Sequence, residues 1–305
     1  MNLVANVLFL DQPANTGFSY ATTPNAARFT DLEACNHVYD FLQKGYILGN
    51  PVTFPAQKNY SIPFAHGMGL VSSELYKSIA ENCKEEFEFE EMDGVKNDLC
   101  SQELKVFKQM ISGINPEHVL EPVCESQFIL LNSGGVKFFN KGTTRSLSEK
   151  KLNMQWCRGK YHDLSTYWAN DISVQEALHV RKGSIEQWLR CRSIIFPSAY
   201  TVTTRDSRQY HANLSRRGYA SLIFSGDHDM KVPFQSTEAW IKELNYTITK
   251  DWRPWIVNDQ IAGYTRSYSN QMTFATVKGA GHVAFEYKHE ECAVMLTRWL
   301  SQEPL

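Results

Sequence analysis

No apolar run among the 305 residues approaches the ~20 needed to cross a bilayer as a helix, so no membrane span is expected. Neither sign of charge is in excess. Lys and Arg number 31 against 33 Asp and Glu, a formal −2, which gives no electrostatic basis for binding nucleic acid or an anionic surface. Seven cysteines include no C-x-x-C pair and no Cys/His cluster at zinc spacing, so no metal centre is expected. No cofactor motif occurs. Internal repeats and low-complexity tracts are lacking as well, which excludes a solenoid.

What remains is the composition of a globular protein, 43% apolar and 12% aromatic, long enough to bury a large core. The apolar start, Met1 to Leu10, has no basic flank and no small-residue cleavage site. It runs into Asp11-Gln12-Pro13 and reads as a core strand rather than a signal peptide. Sequons at Asn59, Asn213 and Asn245, candidate glycosylation sites, join the cysteines in pointing to an oxidising, secretory compartment.

Three segments follow from the patterning. In residues 1–54, Val7–Leu10 and Tyr46–Leu48 read as short strands around a helix from Phe29 to Gln43. Residues 55–200 change character: periodicities become helical, as in 72–83 and 99–111, and loops lengthen. A capping box at Ser173-Val174-Gln175-Glu176 opens a helix through Val180. This segment reads as a lid or insertion on a sheet domain. Residues 201–305 return to alternation: a helix over 203–217, a strand at Leu222–Phe224, a helix ending near Leu244, a hairpin of 252–257 with 260–268, a strand at Met272–Val277, and a helix over 290–300.

Two turns carry the chemistry. The run Leu222-Ile223-Phe224-Ser225-Gly226 breaks into Asp227-His228-Asp229, and the strand ending at Val277 breaks into Gly279-Ala280-Gly281-His282. A carboxylate and an imidazole, each just past a buried strand, match the acid and base of the α/β-hydrolase fold in its chain order Ser, Asp, His. Asp229 is preferred over Asp227, which follows Gly226 directly and reads as a turn former. The carboxylate would fix the imidazole tautomer, and the imidazole would deprotonate a serine. That serine should lie in a G-x-S-x-G elbow, and no such string occurs. Gly17-Phe18-Ser19-Tyr20-Ala21 comes near, but Pro13 and several residues separate it from its strand. The remaining histidines show no partner pattern and read as surface or core residues.

Several strings now point to one family. Phe9-Leu10-Asp11-Gln12-Pro13, Thr16-Gly17-Phe18-Ser19-Tyr20, Gly45 to Pro51, Ala65-His66-Gly67-Met68-Gly69-Leu70, Phe224 to Asp229 and Gly279 to His282 resemble plant serine carboxypeptidase-like proteins. The stretch from Trp252-Arg253-Pro254-Trp255 through Gly263-Tyr264-Thr265-Arg266 is most similar to the clade of glucose-ester-dependent acyltransferases.

The resemblance implies an α/β-hydrolase fold with a helical, disulfide-bearing lid insertion, here with an incomplete central sheet. It implies secreted or vacuolar glycoproteins that act on a peptide C-terminus or an acyl glucose ester, with Asp229 and His282 as triad acid and base. It pairs Cys83 with Cys100 and Cys124 with Cys157, and it leaves Cys191 unpaired because its family partner lies in an upstream segment with no counterpart here. The family's signal peptide and glycine-rich oxyanion segment have no counterpart either. Where the chain runs Gln43-Lys44-Gly45, the family carries some tens of further residues containing the elbow serine. Just after His282, Ala284-Phe285 and His289 stand where the family usually has prolines. The expectation is a family member without its nucleophile, and hence inactive in this form. The alternative is a non-catalytic ligand-binding homologue.

Overall fold

The computed structural model describes residues 16–18, 29–31, 45–83, 98–123, 128–132, 135–139, 158–190 and 200–305. The expected strand at Val7–Leu10, the Cys124–Cys157 pair, Cys191 and Ser19 lie outside these residues. Among the described residues no helix is long and apolar enough to cross a membrane.

The chain divides into two compact units. One comprises residues 1–7, 38–121 and 204–305. Among the described residues its sheet has five strands: β2 (Gly45–Gly49), β6 (Ala220–Gly226), β7 (Ile248–Val257), β8 (Gln260–Tyr268) and β9 (Met272–Val277). They lie in the order β2-β6-β9-β8-β7. β2, β6 and β9 run parallel, and the β7–β8 hairpin is antiparallel beside them. The sheet is therefore mixed. The hairpin turns at Asn258-Asp259, both in the left-handed region at φ 49° and 58°, the conformation a two-residue hairpin turn demands.

Period-two alternation decides which helix covers which face. Leu222, Phe224, Ala275, Val277 and Trp255 pack on one side with Cys292 and Met295 of the closing helix, His289–Leu300. Ile223, Met272 and Phe274 face the other side, where Trp240 and Ile241 of the helix Phe234–Glu243 cover them. Leu222, Ile223, Phe274, Trp240, Ile241 and Met295 are all fully buried. Each contributes roughly 1.5–3 kcal/mol of apolar burial.

A separate helical cluster in the same unit joins Ser61–Gly67, Ser73–Asn82 and Asp98–Ile111 through Phe64, Ile79, Leu104 and Phe107. Ser72 caps the second of these helices by accepting from Leu75 N–H. The expected disulfide is present: Cys83–Cys100 ties the end of that helix to the start of the next, across 17 residues of sequence. By loop-entropy arithmetic such a closure contributes roughly 3 kcal/mol.

The other unit comprises residues 8–37 and 122–203. It holds a two-residue parallel bridge, β1 (Phe29–Thr30) with β5 (Tyr200–Thr201), a hairpin of β3 (Phe128–Asn132) with β4 (Gly135–Phe139), and the helices Arg158–Asn170 and Ile172–Ala177. Three local expectations need correction. Phe29 and Thr30 belong to the strand bridge rather than to a helix. The Ile172–Ala177 helix is capped by Asp171, whose carboxylate accepts from Ser173 and Val174 N–H, so the Ser173 box is not its start. Aspartate two residues earlier out-competes serine because its charged oxygen meets two amides at once. The helix expected over 203–217 is shorter, Arg208–Arg216.

Behind β2, the Tyr46 hydroxyl lies 2.8 Å from His211 Nδ1, and the His211 ring stacks on Trp240 at 4.5 Å. Burial pushes His211 down from 6.5 to about 4. As pH falls from 6.5 to 4, the unfolded chain takes up a proton that the folded chain refuses. The stability tied to His211 is complete above pH 6.5 and drops by roughly 3 kcal/mol toward pH 4. Denaturant unfolding at these two pH values is expected to show that loss, and His211→Phe to remove most of it. An undiminished loss in the variant would contradict this account.

Candidate active site

Parallel pairing places the three key loops on one edge. In the β6–β9 register Gly226 lies opposite Val277, and in the β2–β6 register Gly49 lies opposite Phe224. The residues just past β2, β6 and β9 therefore emerge together, beyond the carboxyl ends of parallel strands, where open α/β sheets place their sites.

Asp229 and His282 meet there. His282 Nδ1 lies 2.8 Å from Asp229 Oδ2, although 53 residues separate them. Asp229 is fully buried, while the His282 side chain is 24% exposed. A buried carboxylate is costly unless its oxygens are hydrogen-bonded. Asp229 Oδ1 accepts from the Lys231 and Val232 amides at 2.8 and 3.0 Å. Its Oδ2 also accepts from Asn50 Nδ2 at 2.6 Å. With Nδ1–H donated to the carboxylate, Nε2 carries the lone pair that a general base needs.

Asn50 is the member that sequence reasoning passed over. It is 3% exposed, and its side-chain oxygen also accepts from Gly226 N–H at 3.3 Å. Its own amide continues the β2–β6 ladder to Phe224 O at 2.8 Å. The signal was faint: an asparagine between Gly49 and Pro51, directly after a strand. The backbone there is left-handed, φ 46°, where asparagine is enriched among non-glycine residues.

Asp227 has the turn-forming role. Its Oδ1 accepts from Gly279 N–H at 2.7 Å and lies 2.5 Å from the neighbouring His228 Nδ1. It ties the two loops together without approaching His282 as a partner. After His282, Ala284 begins the short helix Ala284–Tyr287 and is buried in the core cluster. Phe285 meets Phe224 edge-on at 5.8 Å.

The other expected site residues are scattered. Asn213 is exposed on the Arg208–Arg216 helix. Asn245 is exposed in a left-handed turn, φ 55°, and its sequon threonine, Thr247, is exposed too. Asn59 is half-buried in the 3-10 helix Pro55–Tyr60.

Comparison with known proteins places this arrangement. A serine carboxypeptidase family profile (peptidase S10) matches residues 2–44 and 43–302, in two pieces that overlap at Gln43 and Lys44. Serine carboxypeptidase-like 13 of Arabidopsis thaliana is 39% identical over 345 aligned positions, which take in 99% of this chain and 73% of the relative. Serine carboxypeptidase-like 10 of the same plant is 38% identical over 350 positions, at 99% and 74%. Both alignments are longer than the 305-residue chain, so each relative carries residues here without counterpart. Among solved structures, a prohormone-processing carboxypeptidase from Saccharomyces cerevisiae superposes with a TM-score of 0.56 at 16% identity. The match covers 89% of this chain and 58% of that enzyme, so the chain spans less than two thirds of its length. The shared fold is the α/β hydrolase.

Proposed function

Because the chain belongs to the serine carboxypeptidase family, we propose that it is a member that keeps the acid and base of a Ser–Asp–His triad, Asp229 and His282, without the nucleophile they serve. The observation that carries this reading is the Asp229–His282 hydrogen bond at the ends of adjacent parallel strands, in a sequence with no G-x-S-x-G elbow. The two-piece family match, broken at Gln43 and Lys44, supports loss of an internal segment at that point. So do alignments that outrun the chain.

The chemistry follows from the parts. An acyl transfer of this kind begins when the imidazole takes a serine proton and the oxygen attacks the carbonyl. His282 has a lone pair and an oriented ring but no hydroxyl to activate. The residue after the serine normally donates to the oxyanion, so its loss forfeits a further ~10²–10³ in rate. Within the family the substrate is a peptide C-terminus or an acyl glucose ester. The similarity of residues 252–266 to the acyltransferase clade favours the ester. The Cys83–Cys100 disulfide supports a secretory location, vacuolar or extracellular.

The test is turnover of an activated acyl ester by the purified chain. The expected rate equals the buffer rate and is unchanged in His282→Ala. Turnover that disappears in His282→Ala would overturn the proposal.

A further inference from the structure

We propose that His118 is a positioning residue for the Asp229–His282 pair, acting through the Asn115–Val119 loop that straps the two turns together. The inference concerns the geometry of the pair and stands whether or not a nucleophile is present.

The loop reaches both turns. The His282 amide donates to Glu117 O at 2.7 Å. Gly281 passes so close that a Cβ there would lie 2.1 Å from the same carbonyl. On the other side, the Pro116 carbonyl accepts from Met230 and Lys231 N–H at 3.0 and 2.9 Å, and Val119 N–H donates to His228 O at 3.1 Å. The strap thus holds the residues on either side of Asp229 and the backbone of His282 itself. Asn115 Oδ1 shapes it by accepting from Glu117 N–H at 3.1 Å. The Lys231–Glu117 ion pair is half exposed and adds little.

His118 fastens the strap. Its side chain is buried, 7% exposed. Nδ1 accepts from Leu120 N–H at 3.3 Å, which leaves the proton on Nε2, facing the Gly279 carbonyl at 3.4 Å. The ring stacks on His228 at 5.3 Å and meets Tyr287 at 4.7 Å. One imidazole therefore touches the His282 loop through Gly279 and the Asp229 turn through His228. Burial lowers its pKa against the opposing pull of the Gly279 carbonyl and Glu121, with His228 adding to the lowering. The neutral ring this favours is the form that can accept at one nitrogen and donate at the other.

The experiment is NMR on the full-length chain with labelled histidine. It follows the Nδ1–H proton of His282, assigned by its loss in His282→Ala, and the exchange rate of the His282 amide. His118→Phe keeps a stacking ring and deletes both nitrogens. It is expected to broaden away the Nδ1–H signal and to speed amide exchange about ten-fold, the equivalent of one net hydrogen bond. His118→Gln keeps a donor toward Gly279 and is expected to behave like the parent. Leu120→Pro removes the N–H that sets the tautomer, while also fixing φ at that position and restricting Val119, and is expected to give the Phe result by a separate route, should His118→Phe fail to fold. An unmoved signal and exchange rate in folded His118→Phe or Leu120→Pro would overturn the proposal. Equal loss in His118→Phe and His118→Gln would also overturn it, because packing alone would then explain the effect.

Discussion

Grafting into the chain, between Lys44 and Gly45, the residues that a curated relative carries there is expected to raise ester turnover at least about 10³-fold, all of it dependent on His282. A triad acts as a unit. Removing the serine costs about as much as removing all three members, of order 10⁶ in kcat in a serine protease. A surviving acid–base pair is thus silent alone and decisive once a hydroxyl is within reach. In this chain Asp229 already holds His282 at 2.8 Å, and Asn50 with two amides already holds Asp229. The graft has to supply the hydroxyl and the following N–H, not the base. The measurement is the steady-state rate of the graft, the graft with Ser→Ala, and the graft with His282→Ala. A graft that folds but gains no His282-dependent rate would show that the pair is held in a geometry unfit for catalysis.

The second large effect is structural. Gly226 ends β6 against the His282 loop, and a Cβ there would lie 2.3 Å from Gly281 O and 2.4 Å from Ala280 O. Both obstacles are backbone, so neither can swing aside as a side chain would. Gly226→Ala must push the two loops apart and strain the His228 amide bond to Ala280 O at 2.9 Å. The expected cost is about 3 kcal/mol, at the upper end for overpacking. Denaturant unfolding checks it against Gly67→Ala, where a Cβ meets nothing within 4 Å and the change should stay within about 0.5 kcal/mol. Equal losses at the two positions would contradict the close approach.

The same close approach explains what was legible in the sequence. Asp229 and His282 could be read because each follows an apolar run and a glycine, a short-range pattern that survives without tertiary information. The 252–268 hairpin could be read from alternation around Asn258-Asp259 for the same reason. Asn50 could not be given a role. Its contact with Asp229 depends on β2 lying beside β6 in one particular register, and parallel pairing between distant segments leaves no local mark. His118 was harder still, because its partners are backbone groups of two other loops. The Phe128–Phe139 hairpin fell in a stretch read as helical lid. The Ser173 capping box misled because Asp171, two residues earlier, offered the stronger acceptor.

The most direct measurement is exposure of the purified, folded chain to a serine-directed fluorophosphonate, followed by mass analysis of the intact protein and its peptides. With an intact acid–base pair and no hydroxyl delivered to it, the expected mass is that of the unmodified chain. A single stoichiometric adduct on any serine, formed in the parent and absent from His282→Ala, would contradict the account.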